Sequence, residues 1–138
     1  MAVTLSRKEK PAGAIVDVLP ERTKAAKADF PMAETFNQVE HLLDWGDFDV
    51  AVVVLPHNLH ASVTLPCLRA GKHAIVEKPL TITVADATSL IETATEQGLV
   101  LTVFHSRRWD ADFWTLKGLI ERGAIGEVFN VEMWHGGY

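Results

Sequence analysis

The sequence is most informative first in what it lacks. Cys67 is the only cysteine among 138 residues, so no intrachain disulfide can form and a four-thiolate zinc site is excluded. Basic residues are outnumbered: 13 Lys and Arg stand against 18 Asp and Glu, for a net charge of -5. That balance argues against a nucleic-acid or anionic-membrane partner, both of which need a basic face. No apolar run is longer than Val50–Pro56, far short of the roughly 20 residues of a membrane span. Arg7, Lys8 and Lys10 lie near the start but no apolar stretch follows them, so this stretch does not read as a signal peptide. No Gly-x-Gly-x-x-Gly run occurs, and no internal repeat or low-complexity tract. These absences point to a cytoplasmic protein with no nucleic-acid or membrane partner.

What is present is an ordinary globular composition, 48% apolar over 138 residues, enough to bury one core. Residues 1–12 show no clear period and read as an irregular lead-in. Ala14–Val18 is a short apolar run, expected as a strand. Pro20 suits the first turn of a helix running to about Phe30. A short strand over 33–36 follows. Asn37 and Glu40 stand at capping-box spacing before a helix carrying Val39, Leu42 and Leu43, which Gly46 ends.

Val50–Leu55 is β-branched and apolar on both faces, as a central parallel strand is. A helix is expected over 58–70, with Pro66 inside it and Gly71 at its C-terminal cap. The run from His73 to Val76 predicts a strand. Thr83 caps a helix whose apolar positions are Val84, Ala87, Leu90, Ile91 and Ala94, and Gly98 stops it. A strand over 100–104 and a helix over 113–122 follow, with Phe113, Trp114 and Leu116 as helix core. Residues 127–134 alternate loosely and read as a strand. Strands alternating with helices on short connections imply an α/β fold, a parallel sheet covered on both faces.

Several residues sit where a parallel sheet binds ligands, at the carboxyl ends of strands. Asp17 ends the first apolar run, where an acidic residue either accepts from ribose hydroxyls or serves as a turn aspartate. Leu55-Pro56-His57-Asn58-Leu59-His60 follows the central strand. Its two histidines, three apart, suit capping and packing or a metal, and no third ligand lies near in sequence. Glu77-Lys78-Pro79 follows the next strand. A partly desolvated lysine there would handle a proton, and a solvated surface lysine would not. His105-Ser106-Arg107-Arg108-Trp109 suits an anionic or hydroxylated ligand or a domain junction. Cys67, among Val63, Leu65 and Leu68, reads as packing.

Taken together these motifs resemble the glucose–fructose oxidoreductase/inositol dehydrogenase (Gfo/Idh/MocA) family. The resemblance runs from about Ala14 to Tyr138. Its most specific part is "LPHNLHASVTLPCLRAGKHAIVEKPL", similar to the family's strand, Pro-x-x-x-His loop, helix, "AGKH" corner and "EKP" turn. "VFHSRRWDADFWTLKGLIERGAIGEV" is similar to the stretch that leads out of the family's Rossmann domain. The resemblance implies that Asp17 binds the adenosine ribose and that Pro56, His57, Asn58 and His60 line the cofactor. It places Glu77 near the nicotinamide ribose, Lys78 as the catalytic lysine and Arg108 near the cofactor or substrate edge. The chain departs from the family's commoner Thr-Pro-Asn start by reading Leu55-Pro56-His57.

The resemblance therefore implies a partial Rossmann-type doubly wound parallel sheet that lacks its first strand and phosphate loop. The expected organisation is a lead-in over 1–12, a partial NAD(P)-binding domain over 13–122, and the start of a C-terminal α+β substrate domain over 123–138. The implied function is hydride transfer between NAD, rather than NADP, and a sugar, cyclitol or related secondary alcohol. The expectation for the fragment alone is inactivity, with room for a homo-oligomer in the intact family. Two rivals are a non-catalytic α/β subunit that pairs through an incomplete sheet, and a non-functional remnant.

Overall fold

The computed structural model describes residues 2–5 and 13–134, without the side chains of 2–5. The strands are β1 (Ala2–Leu5), β2 (Ala14–Val16), β3 (Glu34–Phe36), β4 (Val50–Val53), β5 (His73–Glu77) and β6 (Leu101–Phe104). The helices are α1 (Pro20–Asp29), α2 (Val39–Trp45), α3 (His60–Arg69), α4 (Val84–Glu96) and α5 (Ala111–Glu121). Short 3-10 turns occupy His57–Leu59 and Ser106–Trp109. The chain forms two compact units, Met1–Phe104 and His105–Tyr138. The division falls after β6, earlier than the change at 122/123 read from the sequence.

The first unit is an α/β sheet in the order β3-β2-β1-β4-β5-β6, the doubly wound order of a Rossmann fold. β2–β3, β4–β5 and β5–β6 pair in parallel. The centre differs from expectation. No parallel first strand occupies it, but it is not empty: Ala2–Leu5 lies there antiparallel to both neighbours, Ala2 opposite Val16 and Val53. Part of the expected lead-in is thus a strand, and residues 1 and 6–12 lie outside the described residues. The physical reason is the demand of β2 and β4 for partners. Two facing rows of backbone N–H and C=O groups form a template for any extended segment that reaches them.

The sheet is buried unequally. Ala51, Val53, Ala74 and Val76 share one side and are almost fully buried, whereas Val50, Val52, His73 and Ile75 alternate with them and are half-buried. The buried row meets Leu68 and Leu90, both with essentially no exposed surface, and Cys67. Fully burying one such leucine contributes about 1.5–3 kcal/mol. Both faces of these strands are covered, one more completely than the other. α4 likewise buries Leu90 and Ala94, while Val84 and Ile91 of its expected apolar stripe stay exposed.

Local signals explain most boundaries. The Thr83 hydroxyl accepts from the Asp86 N–H at 3.1 Å and so caps α4. Gly46 ends α2 at φ 65, a left-handed conformation that glycine adopts without a Cβ clash. The capping box expected at Asn37 is not made. Gln38 is the cap residue of α2, and the Asn37 amide donates instead to the Asp17 carbonyl at 2.9 Å.

Burial pushes the Cys67 thiol up to about 11. The thiolate is the reactive form, so at neutral pH a thiol reagent should modify the folded chain at least ~100-fold more slowly than the denatured chain. Parallel time courses in native buffer and in denaturant check this, and fast native labelling would show that the core around Leu68 opens. The linkage has one sign. Above the ordinary thiol range the unfolded chain releases a proton that the folded chain keeps, so this contribution to stability is lost as pH rises towards 11.

The second unit is held locally. The Arg107 guanidinium donates to the Asp110 carboxylate at 2.9 Å, and Trp109 and Phe113 both contact the Trp114 ring. α5 buries no residue fully, which corrects the reading of Phe113, Trp114 and Leu116 as core. Phe113, Ile120, Val131 and Met133 line an apolar hollow of about 410 Å³. The strand expected over 127–134 is absent. A strand requires a ladder partner, none of the described residues pairs with this segment, and Phe129 and Trp134 are at least nine-tenths exposed. Residues 135–138 lie outside the described residues.

Candidate functional site

The sheet direction places three loops at one edge. Val53 lies opposite Val76 in the β4–β5 ladder, and Val16 and Val53 flank Ala2. The residues at and just after the ends of β2, β4 and β5 therefore emerge side by side at the carboxyl edge. These are Asp17, the turn Pro56-His57-Asn58 and the turn Glu77-Lys78-Pro79.

Asp17 is buried at 7% exposure. Its Oδ1 accepts from the Leu19 N–H at 3.0 Å, which sets the turn into α1. Its Oδ2 lies 3.6 Å from Arg22 Nη1, close enough to pair electrostatically, and makes no hydrogen bond. A buried carboxylate oxygen without a donor is costly, and a ribose hydroxyl is a donor of the right kind. Asn37, at the carboxyl end of β3, holds the Asp17 backbone. The sequence pattern suggested a helix cap there, and only its place directly after a strand hinted at the other role.

Pro56, His57 and Asn58 are exposed in a 3-10 turn closed by the Leu59 N–H on the Pro56 carbonyl at 2.9 Å. They are open to a ligand. His60 is not: its ring is completely buried. Its Nδ1 lies 2.8 Å from the Pro79 carbonyl oxygen and its Nε2 2.9 Å from that of Leu55. Both ring nitrogens face backbone oxygens, so neither is exposed to a ligand.

Glu77 is half-buried and its Oε2 accepts from the Lys78 N–H at 3.1 Å. Lys78 is exposed, and among the described residues its ammonium has no hydrogen-bond or ion-pair partner. The Lys78–Pro79 peptide bond is cis. Arg108 is exposed in the second unit, its N–H donating to the His105 carbonyl at 3.1 Å.

A second lysine of the same motif does different work. Lys72 lies at the opposite edge, and its ammonium donates to the Gly46 and Phe48 carbonyls at 2.7 Å each. It also lies 4.7 Å from the centre of the Phe48 ring. His73 Nδ1 accepts from the Val100 N–H at 2.9 Å. The "AGKH" corner is thus architectural.

The carboxyl edge fits one half of a dinucleotide. Asp17 has the orphan acceptor that a ribose requires. The pyrophosphate half does not fit: β1 runs backwards, so its end at Leu5 lies beside Val50, away from Asp17 and Lys78. Among the described residues no glycine-rich turn opens a helix at the carboxyl edge between β2 and β4, where a phosphate cradle would stand.

The sequence profile described as "Oxidoreductase family, NAD-binding Rossmann fold" (GFO_IDH_MocA) matches residues 2–105. The match begins before Ala14 and ends before the second unit is under way. The scyllo-inositol 2-dehydrogenase (NADP(+)) IolW of Bacillus subtilis is 38% identical, covering 84% of this chain and 35% of that protein. The myo-inositol 2-dehydrogenase of Thermotoga maritima is 30% identical, covering 83% of this chain and 34% of that protein. Among solved structures, the WlbA dehydrogenase from Bordetella pertussis in complex with NADH and UDP-GlcNAcA superposes with TM-score 0.71 at 30% identity. That likeness covers 80% of this chain and 34% of that one. The chain spans about a third of the length of these relatives. Among the described residues no helix is long and apolar enough to cross a membrane. With its doubly wound sheet and a profile match over residues 2–105, the chain belongs to the Gfo/Idh/MocA oxidoreductase family, whose fold is the NAD-binding Rossmann fold.

Proposed function

We propose that this chain is the nucleotide-binding segment of a cytoplasmic oxidoreductase acting on a secondary alcohol of a sugar, cyclitol or related compound. The observation that carries the reading is Asp17 Oδ2, buried, without a donor and at the carboxyl edge. It is supported by the exposed Lys78 at the same edge and by relatives named as inositol dehydrogenases. The nicotinamide supplies the hydride chemistry when bound. Asp17 receives a ribose hydroxyl, while Pro56, His57 and Asn58 line the nucleotide. Glu77 lies towards the nicotinamide ribose, and Arg108 towards the cofactor or substrate edge. Lys78 holds the alcohol oxygen and takes its proton as the hydride leaves.

We also propose NAD as the preferred cofactor. A carboxylate accepts from ribose hydroxyls but repels a 2′-phosphate. Arg22, 3.6 Å from Asp17, offsets part of that repulsion, and one relative carries NADP(+) in its name. In a full-length form carrying this segment, kcat/KM should favour NADH over NADPH by roughly tenfold, about 1.4 kcal/mol for one lost charge-assisted contact. Asp17→Asn should shrink that preference. Steady-state kinetics with both cofactors decides, and a preference for NADPH in the unaltered protein would take Asp17 out of this role.

A further inference from the structure

The His60 ring has no exposed surface, yet it is not packed as an apolar residue would be. Both nitrogens meet backbone oxygens, at 2.8 Å from Pro79 and 2.9 Å from Leu55. One partner lies five residues back, on the way into the His57–Leu59 turn. The other lies across the ladder, after β5. A neutral imidazole has one ring N–H and donates to one of these carbonyls, and the doubly protonated ring donates to both. The His57 ring stands edge-on to it at 5.6 Å.

We propose that His60 is a positioning residue: it clamps the loop after β4 to the turn after β5, so that the two move as one body. Its place at the head of α3, whose Thr64, Cys67 and Leu68 are buried, gives the clamp a rigid mounting. The Pro79 carbonyl that it holds belongs to the residue next to Lys78, so the clamp sets where that lysine stands. Its bearing on catalysis rests on the role proposed for Lys78, and the coupling of the two loops does not.

Hydrogen exchange of the whole chain, followed by mass spectrometry, separates the two ideas because it reads no activity. His60→Phe keeps a ring of similar volume and removes both nitrogens. Exchange over 54–59 and over 77–82 should rise together by ~10-fold, the scale of one lost buried hydrogen bond, with α4 and β6 unchanged and a cooperative melt retained. His60→Gln, which keeps a donor, should give a smaller rise. A change in one segment alone, or in neither, would overturn the clamp. The unaltered chain gives a check that does not depend on variants folding. Its His60 ring N–H should exchange slowly with water in a nitrogen-edited spectrum, and a ring proton lost as fast as that of exposed His57 would also overturn it.

Discussion

Replacing Lys78 by Ala in a full-length form carrying this segment should lower turnover by roughly 10²–10⁴, the share that a positioned proton-transfer group contributes. Lys78 stands at the carboxyl end of β5, exposed, with no described partner for its ammonium. Its N–H donates to the Glu77 carboxylate, and the carbonyl oxygen of the next residue, Pro79, lies 2.8 Å from the His60 ring. A free head on a hydrogen-bonded backbone suits a group that must reach a substrate oxygen. NADH affinity, read by fluorescence titration, should change much less than turnover, since nothing assigns Lys78 to the ribose or the phosphates. Lys78→Arg should not restore the rate, because an arginine keeps its proton at working pH. Near-normal turnover in Lys78→Ala would remove the residue from the chemistry. A loss of NADH affinity matching the loss of turnover would make it a binding residue.

Deleting residues 2–5 should abolish cooperative unfolding of this chain. β1 pairs with β4 along its length, from Ala2 opposite Val53 to Leu5 opposite Val50, and with β2 at Ala2 and Val3. Its removal uncovers ladder groups of both neighbours in the middle of the sheet. Each backbone group left buried and unpaired costs about 1–3 kcal/mol, and a handful of them matches a typical net stability of about 5–15 kcal/mol. Thermal melts followed by circular dichroism, with and without the segment, would show it. Val3→Pro should act in the same direction and less strongly, since it removes one donor and proline fits poorly in a central strand. An undiminished cooperative melt after deletion would mean that β2 and β4 close directly on each other.

The elements that were legible in the sequence carried local signals. The β-branched run at Val50–Val53, the Thr83 cap, and the glycines at 46, 71 and 98 mark boundaries through φ and hydrogen-bond preferences of a few neighbouring residues. The carboxyl-edge placement of Asp17, Pro56, His57, Asn58, Glu77 and Lys78 follows from strands of known direction. What escaped was non-local. Ala2–Leu5 is too short to show a period, and its strand character comes from two partners far along the chain. Residues 127–134 show the opposite case, an alternating pattern with nothing described to pair with. His60 lies in a motif that reads as a loop facing a ligand, but its burial depends on a carbonyl nineteen residues away. Asn37 had a local use as a cap and a distant use on Asp17, and the distant one won.

The ties at Lys72 also have a bearing on strand register. Lys72 enters β5 and its ammonium holds the carbonyls of Gly46 and Phe48, just before β4. At the other end of the same two strands, His60 links the exits of β4 and β5. Sliding β5 by one residue would shift it about 3.3 Å against β4 and turn its side chains to the opposite face. Contacts of 2.7–2.9 Å cannot stretch that far. Two side chains at opposite ends of one strand pair thus oppose a slip of its register, in addition to the ladder between them.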